Sequence, residues 1–120
     1  NLPALVRSLK LQKRAARVGF DWPNILQVLE KIEEEAKELI EAKKTEPQER
    51  INEEFGDLMF SIVNLGRHLK VDPEEALKQT NRKFITRFKF VEDSIRSQGK
   101  KIEDTSLEKM EALWQQAKDP

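Results

Sequence analysis

The sequence has no cysteine, which excludes a disulfide framework and any thiolate zinc site, and suits a reducing cytoplasm. It has no tyrosine and only 4 glycines, a composition that argues against many short strands and turns. No apolar run approaches the roughly 20 residues that span a bilayer, and no signal peptide is visible. Charge of one sign is missing too: 22 basic residues balance 22 acidic ones. No global field therefore draws the chain to a nucleic-acid polymer, and a phosphate ligand has to be met by local clusters. What the chain does have is charge, at 37%, and apolar residues, at 38%. That is the profile of helices with charged surfaces, and 120 residues make one domain around a single core. The first residue is Asn rather than Met, which leaves room for chain upstream.

Punctuation divides the chain into five helical segments, with no strand pattern in competition. Pro3 suits the first turn of a helix running to about Arg17, before Gly19. In the turn GFDWP (19–23), Asp21 is placed to cap and Pro23 to start a second helix reaching about Lys44. Pro47 opens a third, to about Leu69. Asp72 as N-cap and Pro73 at the first position begin a fourth, to about Ser97 before Gly99. Residues 100–105 form a polar connector, and Ser106 caps a short last helix through about Ala117. Helices joined by short loops pack most simply as antiparallel neighbours, so the expected fold is an all-α, antiparallel helical bundle.

The second helix has an apolar stripe of Ile25, Val28, Leu29, Ile32, Ala36 and Leu39. At about 100° per residue, Glu35 lies roughly 60° and Glu38 roughly 120° from Ile32, on one flank that Lys31 shares. The third helix has a stripe of Ile51, Phe55, Leu58, Ile62, Leu65 and Leu69. Glu54 lies about 40° and Asp57 about 100° from Leu58, on an edge continued by Arg50, Ser61, Asn64 and His68. Each helix thus carries two acids at i, i+3 beside its buried face. With 22 acids in 120 residues, about four acid-x-x-acid pairs arise by chance, so one pair means little. Two pairs on consecutive antiparallel helices mean more. Four converging carboxylates need a counter-charge, and oxygen-only ligation suits a hard ion such as magnesium. Geometry alone leaves two readings open, this metal site and a solvated face of i, i+4 ion pairs.

Lys83 and Arg87 stand four residues apart on the flank of the fourth helix's stripe, Leu77, Phe84, Phe88, Val91 and Ile95. They present either two cations to one phosphate ligand or two surface charges balancing acids such as Glu92. Trp22 and Trp114 are each able to stack on a nucleobase or to anchor packing, with packing favoured for Trp22. His68 is the single histidine, which suits a helix-end interaction better than metal ligation. It also excludes the paired Glu-x-x-His motifs of a di-iron bundle.

KIEEEAKEL (31–39), EEFGDLMF (53–60), NRKFITRF (81–88) and MEALWQQAK (110–118) resemble the MazG family of nucleoside triphosphate pyrophosphohydrolases. The opening LPALVRSLKLQKRAARVGFDW (2–22) looks like the start of the C-terminal catalytic domain in two-domain bacterial members. The resemblance covers nearly the whole chain. It implies an all-α domain that dimerises or forms a higher homo-oligomer, and that cleaves a nucleoside triphosphate to nucleoside monophosphate and pyrophosphate. It implies that Glu35, Glu38, Glu54 and Asp57 are the catalytic carboxylates and bind magnesium, with manganese as a substitute. Lys83 and Arg87 would hold phosphate, and Lys31 and Arg50 would support them. Arg50 stands where close relatives are expected to have Lys. Glu34 and Glu53 would take supporting or base-contact roles, and Trp114 would help enclose the nucleotide. An upstream domain would lie outside this chain. The rival reading from another class is a non-catalytic helical dimerisation or regulatory module that uses the same charged flanks for partner contacts.

Overall fold

In the computed structural model, which describes residues 2–118, the elements are helices only. They are α1 (Ala4–Arg17), α2 (Ile25–Thr45), α3 (Gln48–His68), α4 (Pro73–Ser97) and α5 (Leu107–Lys118), with one 3₁₀ turn at Ile102–Asp104. The all-α reading holds. No described helix is long and apolar enough to cross a membrane.

Local chemistry explains most of the ends. After α1 the chain closes through Phe20 N to Ala15 O and Gly19 N to Ala16 O, at 3.1 and 3.0 Å. This is a Schellman closure, and it needs a left-handed residue, which Gly19 supplies at φ 91°. Gly99 ends α4 in the same way at φ 72°. Asp72 Oδ1 accepts from Glu74 N and Glu75 N, capping α4 as expected. Ser106 Oγ likewise accepts from Lys109 N at the start of α5.

Two ends differ from expectation. Asp21 does not cap α2: Asn24 does, accepting from Gln27 N at 3.0 Å, so the helix starts at Ile25. Asp21 is held instead by Arg67 and His68 on α3, a tertiary partnership that outcompetes the local cap. The stop of α3 uses Lys70 at φ 60°, with Val71 N donating to Gly66 O at 2.8 Å. A non-glycine residue there costs roughly 1 kcal/mol. Gly66 has its own reason, since a Cβ there would meet Val71 O at 3.3 Å.

The chain divides after Ala76 into two compact units. In the first, α2 and α3 run antiparallel across a connector of Glu46 and Pro47, and α1 packs on α3. Gln12 donates to Phe60 O while Asp21 meets Arg67 and His68, so α1 and α3 ascend together and α3 is the middle helix. In the second unit Val91, Ile95 and Leu113 form a core with Ile102, Met110 and Trp114 packed against it.

The stripes do not all close as the wheel suggests. On α3 the buried residues are Glu54, Ser61, Val63 and Asn64, whereas Phe55, Ile62 and Leu69 are about half exposed. Residues of the polar edge of α3 are thus buried, while the stripe is partly open, with Ile51, Leu58 and Leu65 intermediate in exposure. On α2 Val28, Glu35 and Ala42 are buried, while Ile25 and Leu29 stay open. On α4 Val91 and Ile95 are buried but Leu77 and Phe84 are half exposed.

Candidate metal centre

Because α2 and α3 are antiparallel, the acid flank of one meets the acid flank of the other. Glu35 and Glu54 are 5% and 4% exposed, although both are carboxylates. One oxygen from each of Glu35, Glu38 and Glu54 lies within 4.8 Å of the other two, and among the described residues these three form the group. Glu38 is exposed, at the mouth of the cluster. Asp57 is also exposed and lies outside the three, one turn beyond Glu54 on α3.

Each buried acid has its own cation one turn before it. Lys31 Nζ is 2.8 Å from Glu35 Oε1, and Arg50 Nη2 is 2.8 Å from Glu54 Oε1. The same cations reach outward, Lys31 to Glu34 at 3.6 Å and Arg50 to Glu53 at 2.9 Å. This i, i+3, i+4 pattern repeats on both helices, so each outer acid helps aim a cation at an inner one. The hydrogen bond to Glu35 holds the Lys31 ammonium above its ordinary pKa, against the opposite pull of burial. The Glu54 charge does the same for Arg50.

The second oxygens behave differently. Glu35 Oε2 and Glu54 Oε2 are buried and have no hydrogen-bond partner. Buried polar atoms in folded proteins nearly always have one. The Glu35 charge, then desolvation, then the charge of Glu54 push the Glu38 carboxyl above its ordinary value. Like charges this close disfavour full ionisation. Two orphaned buried oxygens beside a third carboxylate therefore fit a divalent cation, and an all-oxygen donor set makes it a hard one. A cleft of about 420 Å³ opens beside the cluster, with Glu38, Arg50 and Glu54 among its walls.

A family model for the MazG nucleotide pyrophosphohydrolase domain matches residues 24–91, the span that contains all four predicted acids. The chain belongs to the MazG nucleotide pyrophosphohydrolase domain family. It is 51% identical over 117 residues to the nucleoside triphosphate pyrophosphohydrolase/pyrophosphatase MazG of Thermotoga maritima, covering 98% of this chain and 45% of that protein. It is 45% identical over 120 residues to a nucleoside triphosphate pyrophosphohydrolase of Escherichia coli, covering 98% and 46%. A 72-residue match, also 45% identical, covers 60% of this chain and 15% of the uncharacterized protein YabN of Bacillus subtilis. The chain spans a little under half the length of the first two relatives.

The other predicted residues of this MazG chain lie in the second unit. Phe84 stacks on Phe88 at 5.8 Å between centroids, and Trp114 tilts against Phe84 at 5.3 Å. The Arg87 guanidinium lies 5.9 Å from the Trp114 ring centroid, at cation–π range. Lys83 is exposed, four residues before Arg87. Among the described residues neither cation forms an ion pair, so the pairing with Glu92 does not form.

Three features escaped the sequence reading. Gln12 is buried on α1, with its amide donating to Phe60 O. Asn64 is buried on α3 and accepts from Arg67. Asp21, Arg67 and His68 tie the turn after α1 to the end of α3. The Arg67 hydrogen bond holds the Asp21 carboxyl below its ordinary value, outweighing burial. Only the polar edge of α3, noted at Asn64 and His68, was a signal for these.

Proposed function

We propose that the chain hydrolyses nucleoside triphosphates between the α- and β-phosphates, releasing nucleoside monophosphate and pyrophosphate. One observation carries the reading: two buried carboxylates each have one oxygen on a cation and the other without a partner. Family membership and the names of the two long-matching relatives support it.

Glu35, Glu38, Glu54 and Asp57 would hold magnesium, with manganese as a substitute. When bound, the ion supplies charge neutralisation and Lewis-acid polarisation of the phosphates. The remaining work falls to the chain. One of the four carboxylates takes a proton from the attacking water and directs it at phosphorus. Lys31 and Arg50 fix the outer oxygens of Glu35 and Glu54, so the inner ones stay aimed. Glu34 and Glu53 steady those cations from the solvent side. Lys83 and Arg87 hold the phosphates and stabilise charge on the departing pyrophosphate. Trp114, already in contact with Phe84 and Arg87, helps enclose the nucleotide. Residues 1–120 are read here as one catalytic domain of this family.

The working form is a homodimer or higher homo-oligomer. Phe55, Met59, Ile62 and Leu69 follow one another along α3 and are each roughly half exposed, an apolar stripe of the kind that self-association covers. The balanced net charge supports a small-molecule substrate over a nucleic-acid polymer. A cytoplasmic location goes with a nucleoside triphosphate substrate. Metal-stripped protein incubated with ATP and magnesium tests the reading. AMP and pyrophosphate are expected, with no turnover when chelator replaces magnesium. ADP and orthophosphate as the sole products would overturn it.

A further inference from the structure

Residues 1–20 hold five of the 22 basic residues and none of the 22 acidic ones. A chain of zero net charge therefore carries a local excess of cations, matched by an equal excess of acid elsewhere. All five, Arg7, Lys10, Lys13, Arg14 and Arg17, lie on α1 and are exposed. At about 100° per residue they share one arc of about 120°, and at 1.5 Å per residue the arc is about 15 Å long. Gln12 is buried on the other side of the helix, where it donates to Phe60 O of α3. The arc faces away from α3.

This arrangement costs α1 stability. Lys10 has like-charged neighbours at i−3, i+3 and i+4, namely Arg7, Lys13 and Arg14, and such pairs destabilise a helix. Arg17 repeats the pattern with Lys13 and Arg14. The helix dipole favours Arg14 and Arg17 near the C-terminus but opposes Arg7 near the start. Among the described residues none of the five forms an ion pair or a side-chain hydrogen bond. The chain itself supplies no counter-charge for the arc.

Leu11 and Val18 decide what kind of anion fits. They are 45% and 85% exposed and stand seven residues apart, roughly 10 Å, along the Arg7 and Arg14 side of the arc. Phosphates have no use for them, and a long polyanion would run past the arc into the acid excess. An exposed apolar pair with a charged rim has the anatomy of a protein interface. Its complement is an amphipathic helix with two apolar residues seven apart and acids one turn to either side. A second copy does not offer this. The exposed apolar pair seven apart on α3, Phe55 and Ile62, has no acid one turn away, and that on α4, Leu77 and Phe84, has only Glu74.

From this charge complementarity we infer that the outer face of α1 is a docking surface for an acidic amphipathic helix of a separate protein. The apolar residues of that helix cover Leu11 and Val18, and its carboxylates pair with the flanking cations.

A fluorescein-labelled peptide of about 18 residues, long enough to be helical, serves as the probe, with two Leu seven apart and Glu one turn to either side. Fluorescence anisotropy in about 0.1 M salt, where exposed charges are partly screened, should show saturable binding to the wild type. Lys10→Glu with Arg14→Glu should weaken it by about ten-fold or more through charge. Leu11→Ser with Val18→Ser should weaken it about ten-fold through lost apolar burial. A single-stranded oligonucleotide should bind more weakly than the peptide. The charge reversal should also raise Tm, because it removes like-charge neighbours within α1. If it does not fold, Lys10→Gln with Arg14→Gln takes its place with the same expected direction. No saturable binding of the peptide, wild-type binding by either folded pair of substitutions, or tighter binding of the oligonucleotide overturns the proposal. Sedimentation velocity covers the second copy: self-association that the charge reversal abolishes would overturn the assignment to a separate protein.

Discussion

Replacing Glu54 with Gln should make the metal-free protein more stable and the metal-loaded one less so. Glu54 and Glu35 are both buried, with oxygens no more than 4.8 Å apart. Two unit charges at that separation repel by about 3.5 kcal/mol at an effective dielectric of about 20. Against this stands the ion pair of Glu54 with Arg50, a charge-assisted bond contributing roughly 1.5–3 kcal/mol. An amide removes the repulsion and keeps a neutral hydrogen bond to Arg50. The difference leaves Glu54→Gln ahead by about 1 kcal/mol, or about 4 °C in Tm for a domain of this size. Magnesium reverses the order. At a hundred times its Kd it adds about 2.7 kcal/mol to the wild type, and most of that increment should be missing from the variant. Melting curves followed by circular dichroism, in chelator and in magnesium, give all four values. A variant that melts below wild type in chelator, with an undiminished magnesium increment, would refute the reasoning.

Asp57→Asn should lower turnover by roughly 100-fold, the usual scale for one electrostatic group at a reacting centre. Stability should move by no more than about 0.5 kcal/mol because the side chain is exposed, so a wild-type rate removes Asp57 from the site. Arg87→Ala should raise KM for ATP by roughly 10- to 100-fold, as expected for a charge-assisted phosphate contact, and steady-state kinetics with an unchanged KM would count against it. Asp21 predicts a pH dependence. Its carboxyl is held below the ordinary value of 3.8 by Arg67, so its stabilisation is complete above that value and is lost as pH falls through the lower folded one. Acid titration of Tm should therefore show a low-pH decline that Asp21→Asn flattens, and identical curves would contradict the pairing.

Most helix ends were legible because they are encoded locally. Asp72, Gly19, Gly99 and Ser106 each act within a few residues of themselves. Asn24 and Lys70 show the limit: Asp21 was read as the cap but is held by Arg67, and a left-handed lysine has no sequence signature. Glu35 and Glu54 were legible as flank residues because angular position within one helix is nearly fixed. The outward turn of Phe55, Ile62 and Leu69 was not, since a helical wheel shows that a stripe is apolar but not which neighbour covers it. Gln12 was hidden for a related reason. Its partner is a backbone carbonyl 48 residues away, and only the assembled α1–α3 pair reveals it. The acids' roles were readable from geometry as far as a hard cation, whereas the triphosphate came from likeness to a family.

Phosphorus NMR of ATP turnover with magnesium, run side by side on the wild type and Glu54→Gln, joins the carboxylate cluster to the reaction. The wild type should yield AMP and pyrophosphate in equal amounts, and the variant, folded by circular dichroism, should yield neither. ADP with orthophosphate from the wild type, or wild-type turnover by the variant, would contradict a cation-dependent α–β cleavage carried by these acids.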